Sequence, residues 1–225
     1  MLTRIITTAI FAGFITALVA ALLQFLLVQP LLLHAELFEN GSLTHFGPTG
    51  AGTPAQADLP GFDPLRDGLS VLFTAIIYTG YAFLLVAGIA IASERGHDIS
   101  IRSGIIWGIA GFVALQLAPA AGLPPELPGA AAADVAPRQV WWFGTVALTA
   151  LGLWLIAFGK SPVIWAVALI CLAVPHVIGA PHPDTFVGPV PPEIAAQFAA
   201  RALAVGLASW AVLGMLAGYF WNKEA

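Results

Sequence analysis

Apolar positions along the chain fall into six long runs, separated by polar stretches rich in glycine and proline. The runs are continuous, which excludes a membrane β-barrel, whose strands alternate apolar and polar positions. A helical crossing needs about 20 mostly apolar residues. Six segments approach or meet that length: 5–29, 69–92, 101–119, 139–158, 162–179 and 194–221. The fifth is the shortest and carries Pro175 near its end, so the count becomes five if it does not cross. The pattern predicts an all-α integral membrane protein, a polytopic helical bundle of about six transmembrane helices. They form a single membrane domain over residues 1–225, with two notable outer loops, 34–68 and 180–193.

Composition agrees with that class. The chain is 59% hydrophobic and 9% charged, against about 25% charged in a soluble domain, and its mean hydropathy is +0.91. A net charge of −4 with scattered basic residues gives no nucleic-acid footprint. The single cysteine, Cys171, excludes an internal disulfide and a cysteine-rich metal site. Arg4 before an apolar run invites a signal-peptide reading, but signal cores run about 7–15 residues. This run is longer and reads as an uncleaved first helix.

Orientation follows from lysine and arginine in short loops. With the N-terminus cytoplasmic, the inner side holds Arg4, Arg95, Arg102, Lys160 and Lys223, and the outer side only Arg66 and Arg138. Four histidines, His34, His45, His176 and His182, then fall at or beyond outer helix ends, and only His97 is inside. Nine of the twelve carboxylates join them outside. An acidic, imidazole-bearing face concentrates cations.

The densest chemistry lies at Val174-Pro175-His176-Val177-Ile178-Gly179-Ala180-Pro181-His182-Pro183-Asp184. Pro181 and Pro183 stiffen the backbone around His182, and Gly179 supplies a bend. Two readings are open: a rigid hairpin whose histidines sit among lipid headgroups, or a divalent-metal site. In the first outer loop, His34-Ala35-Glu36-Leu37-Phe38-Glu39 extends the first helix outward, and Glu36 and Glu39 share a face. Residues 47–68 follow as a Gly/Pro-rich flap without a period.

Within the spans, Gly13, Ala17 and Ala21, Gly104 and Gly108, and Gly214 and Gly218 are small residues at four-residue spacing. Such stripes let helices approach closely. Gln24, Gln29 and Gln116 are polar groups inside spans, which are costly and invite a functional reading. Glu193, Gln197 and Arg201 recur every four residues on the sixth helix, and the spacing suggests a structural ion pair of Arg201 with Glu193 or Asp184. No nucleophile–base pair, phosphate loop or H-E-x-x-H stands in the chain. The chain therefore reads as no enzyme, with no firm cofactor.

The two ends together resemble CbtA, a family of predicted cobalt transporter subunits. The likeness lies in Gly13-Phe14 through Gln24, Gln29-Pro30-Leu31 and Ala35-Glu36-Leu37-Phe38-Glu39. It continues in Pro175-His176-Val177-Ile178-Gly179-Ala180-Pro181, in Val190-Pro191-Pro192-Glu193-Ile194-Ala195-Ala196-Gln197-Phe198-Ala199, and from Trp210 to Gly218. The resemblance implies a multi-pass subunit of the cell's inner membrane that takes up cobalt(II) for cobalamin synthesis. It implies a CbtB-like partner, a small single-helix subunit with a histidine-bearing terminus. It also implies five helices, one fewer than the six counted here. Under that resemblance the expected outer capture site is His176, His182 and Asp184, faced by His34 and Glu36, with a polar path near Gln24 and Gln29. Co²⁺ accepts imidazole and carboxylate ligands. A non-conducting assembly subunit that holds the small partner fits the packing glycines equally, and a membrane enzyme is the least favoured reading.

Overall fold

The computed structural model describes residues 1–45, 52, 54–55 and 57–223. Much of the expected flap lies outside the described residues. The described chain is helical with no strand: α1 (Leu2–Leu27), α2 (Gln29–Glu39), α3 (Pro64–Glu94), α4 (Ile101–Phe112), a π-helical turn (Val113–Leu117), α5 (Ala118–Ala120), α6 (Val135–Phe158), α7 (Pro162–Ile178) and α8 (Pro192–Lys223). Five helical segments among the described residues are long and apolar enough to cross a membrane: α1, α3, residues 101–120, α6 and α8. The fifth apolar run is α7, whose 17 residues span about 25 Å at 1.5 Å per residue, against a hydrocarbon core of about 30 Å.

Proline and its neighbours set most helix boundaries. Pro30 stands in the first turn of α2, and the chain breaks at Val28, which separates α2 from α1. The segment expected to prolong the first helix is therefore a helix of its own. Pro64 opens α3 behind Asp63, whose side chain accepts the Arg66 N–H at 2.8 Å. Residues 64–68 thus belong to the helix, not to the loop. Before Pro119 the ladder widens into the π-helical turn, because proline has no N–H to return to the carbonyl four residues back. Gln116 sits in that turn.

The described chain forms two compact units. The first comprises Met1–Leu27, Gly61–Phe112 and the chain from Ala204 onward. In it α1 and α3 run antiparallel. Gly13 seats against α3 so closely that a Cβ there would lie 2.6 Å from Thr79 Cα. Gly13, Ala17 and Ala21 are all buried, as their spacing predicts. The small residues of α4 and α8 meet in the same way: Gly104 and Gly108 face the backbone of Gly214 and Gly218. The start of α1 meets the end of α8, where Arg4 Nε donates to the Trp221 carbonyl at 2.9 Å and its guanidinium lies 4.1 Å from the Trp221 ring centre. A second bond runs from Arg4 Nη2 to the same carbonyl. Helices that both cross a bilayer and meet in this way leave these two ends on one face, which requires an even number of crossings. The five long segments alone would give an odd number, and the shorter α7 is the remaining apolar helix.

The second unit comprises Val28–Pro60 and Val113–Leu203. Its centre is the antiparallel pair α6 and α7. Gly152 lies against the Ala168 carbonyl and the Leu172 side chain, a Cβ there falling 3.0 Å from each. At the other end Trp141 Nε1–H donates to the Pro175 carbonyl at 3.0 Å. The turn between the helices is capped by Ser161, whose hydroxyl accepts the Ile164 N–H at 3.3 Å.

Candidate functional site

The expected ligands all belong to the second unit. Helix α7 ends at Gly179, whose φ of +83° is a conformation that favours glycine. The Pro175 carbonyl accepts two bonds, from the Gly179 N–H and from Trp141. The rings of Trp141 and His176 then meet edge to face, with centroids 6.2 Å apart at 72°. Gly122 is wedged beside them, where a Cβ would lie 2.7 Å from Ala180 Cβ and 2.8 Å from the Trp141 ring. The last turn of α7 is thus pinned, while the His176 side chain itself stays exposed. His182 and Asp184 are exposed in the loop that follows. This loop is tied to the segment before α6 by the Ala131 N–H, which donates to the Val187 carbonyl at 2.9 Å.

His34 and Glu36 stand on α2, both half-buried. His34 lies beside Phe38, with ring centroids 5.5 Å apart. Its Nε2 is shielded from solvent and has no hydrogen-bond partner among the described residues. A nitrogen in that condition lacks the bond that normally satisfies buried imidazole. His45 is half-buried and His97 is exposed in the first unit.

These residues are not assembled into one centre. Among the described residues no three or more histidine, cysteine, aspartate or glutamate side chains are grouped closely enough to hold a metal ion. What the chain presents is a rigid, exposed His176, a stiff loop bearing His182 and Asp184, and a shielded His34.

Both arginines assigned to the outer side are already paired. Arg66 holds Asp67 at 2.8 Å, with Asp67 only 2% exposed, and Arg138 holds Glu126 at 2.8 Å. Their charges are therefore matched locally. Arg201 and Glu193 lie about 12 Å apart along the axis of α8, and both are exposed. A cavity of about 310 Å³ opens between Pro124, Leu127, Pro189 and Ala195. Its lining is apolar apart from Glu126, and none of the five expected ligands borders it.

Trp141 was not singled out by the sequence pattern. The only available signal was a tryptophan in the first turns of an apolar run, and its partner carbonyl is distant in the chain. Gln24, by contrast, is engaged as a polar group inside a span, accepting the Thr74 hydroxyl at 3.2 Å.

A family model, CbtA, described as "Probable cobalt transporter subunit (CbtA)", matches residues 2–222. No curated protein and no solved structure matches.

Proposed function

We propose, from the premise that the chain belongs to the CbtA family of probable cobalt transporter subunits, that it captures a divalent transition-metal ion at its outer face and passes it through the helix bundle of the cell's inner membrane. It acts as a transport subunit and not as an enzyme, and the cobalt it delivers serves cobalamin synthesis. The observation that carries this reading is the family match, which spans nearly the whole chain.

In this reading His176, His182 and Asp184 are the first ligands, and His34 with Glu36 faces them. Pinning of His176 by Trp141 supports its role, because a ligand held before binding loses less freedom on binding. The orphaned His34 Nε2 supports a ligand role for the second group. Geometry, not raw affinity, must favour cobalt over nickel or zinc.

A second reading is favoured by one observation, the lack of a group of three or more ligands among the described residues. Here the chain holds a small single-helix partner of the CbtB kind, and the partner's histidines complete the site. Without that partner the chain does not conduct.

Co²⁺ titration of the purified chain separates these. His176→Ala and His182→Ala should each weaken binding well over tenfold, since even outer-sphere losses cost about 10–100-fold. His97→Ala should bind as the parent does. Imidazole coordinates only when neutral, so affinity should fall as the solution is acidified. If the parent binds no Co²⁺ until the partner is added, the second reading holds. If neither outer variant differs from a parent that does bind, the capture site is elsewhere.

A further inference from the structure

Exposed apolar side chains continue past the end of α7, into a loop. Between α7 and α8 the Phe186 ring is 83% exposed and Val187 is 67% exposed. Val177 and Ile178, in the last turn of α7, are exposed as well. The loop backbone that carries them is held. The Val187 carbonyl accepts the Ala131 N–H at 2.9 Å, and Gly129 lies against the Pro189 ring, where a Cβ would fall 3.2 Å away. Phe186 is therefore presented from a fixed segment. A contiguous apolar patch of this kind marks a surface that an apolar partner covers.

The length of α7 points to that partner. Its first turn follows Lys160 and the Ser161 cap. Trp165 stands at the same end, its indole N–H donating to the Gly159 carbonyl at 3.2 Å. Tryptophan and lysine favour the membrane–water boundary. Taken as the sixth crossing and started at that boundary, the 17 residues of α7 rise about 25 Å and stop about 5 Å short of the far edge of a hydrocarbon layer of about 30 Å. Val177 and Ile178 then face acyl chains, and the loop departs from a level inside the membrane. Its composition suits that level. Irregular backbone in hydrocarbon is penalised for each unpaired N–H and C=O. Five of the fourteen residues 179–192 are proline, which has no N–H to leave unpaired. The Gly179 N–H is taken by the Pro175 carbonyl.

We propose that the loop between α7 and α8 is a membrane-interface anchor. Phe186 and Val187 insert at the boundary between headgroups and acyl chains, and the partner of this surface is the phospholipid bilayer itself. Interfacial elements reach about 5–10 Å into that boundary, a depth that spans the shortfall of α7. His182 and Asp184, on the same short loop, then stand at headgroup level. The bilayer is favoured over a second protein because the patch continues directly from the exposed last turn of an apolar helix.

Depth-resolved fluorescence quenching tests the anchor. Cys171 is the only cysteine, so in a Cys171→Ala background Phe186→Cys and Val187→Cys each carry one bimane label. Leu169→Cys, exposed midway along α7, is the deep control. Asp98→Cys, exposed in the polar turn before α4, is the water control. Each full chain is reconstituted in phosphatidylcholine vesicles with iodide on both sides, or with a lipid nitroxide placed near the headgroup or near the middle of the acyl chain. At positions 186 and 187 the shallow nitroxide should quench more than the deep one, the reverse of position 169, and iodide should quench well below its effect at position 98. Iodide quenching equal to that at position 98 puts the loop in water and overturns the anchor. Shielding from iodide and from both nitroxides puts protein over the patch, a second copy of the chain included, and overturns it too. Stronger quenching by the deep nitroxide does the same. Two label positions keep the result readable if one variant fails to reconstitute, and Co²⁺ titration judges the outer capture site separately.

Discussion

The crossing of α4 and α8 makes the most exposed prediction about stability. A Cβ added at Gly214 would fall on the Gly104 carbonyl oxygen and lie 2.6 Å and 2.7 Å from the N and Cα of Gly108. All three obstacles are backbone, so no rotamer change relieves them. Carbon atoms prefer separations of about 3.5–4.0 Å, and the helices must part by about 1 Å, which forfeits a quarter to a half of the dispersion energy of the neighbouring contacts. Overpacking costs about 1–3 kcal/mol, and an obstacle made of backbone belongs at the upper end. The intrinsic gain of alanine over glycine in a helix returns about 1 kcal/mol. Gly214→Ala should therefore destabilise the chain by about 2 kcal/mol. Gly144 on α6 is the control, because a Cβ there meets nothing within 4 Å, and Gly144→Ala should be neutral or stabilising by up to about 1 kcal/mol. The assay is denaturant unfolding of both variants in one detergent, followed by near-ultraviolet circular dichroism. A Gly214→Ala chain as stable as the Gly144→Ala chain would refute the packing argument.

Trp141→Phe removes the bond to Pro175 but leaves that carbonyl its Gly179 donor, so it should cost about 1 kcal/mol in the same unfolding assay, and His176 should gain mobility by NMR. Arg4→Lys keeps the charge but loses the fork that holds the Trp221 carbonyl; a charged hydrogen bond contributes about 1.5–3 kcal/mol, and equal thermal stability of the two chains would count against the contact. A double-mutant cycle on Glu126 and Arg138, both partly exposed, should return a coupling of only about 0.2–1 kcal/mol, and a larger value would mean the pair is shielded in the membrane. A topology reporter placed after Lys223 should read on the same side as one placed before Arg4, and opposite readings would exclude a crossing by α7.

The helices were legible in the sequence because a bilayer demands long apolar runs. Each predicted run has its helix, and the observed bounds differ mainly where a cap adds turns, as Asp63 does for α3. The packing glycines were legible for a similar reason, since their four-residue spacing encodes a helix face. The break at Val28 and the π-helical turn before Pro119 were visible only as prolines, because a proline removes one bond without saying how the ladder will re-form. The Trp141 bond and the division into two units depend on contacts distant in the chain.

The clasp between Arg4 and Trp221 also bears on how the chain is made. The partners are 217 residues apart, and at about 5–20 residues per second the ribosome needs roughly 10–40 s to produce the second after the first. Throughout that interval the guanidinium at the head of α1 has no Trp221 carbonyl to hold. Helix α1 can pack on α3 before that time, but its clasp closes only with the final turns of α8. A chain shortened before Trp221 would therefore lack this tie between the two helices, while keeping the packing of α1 on α3.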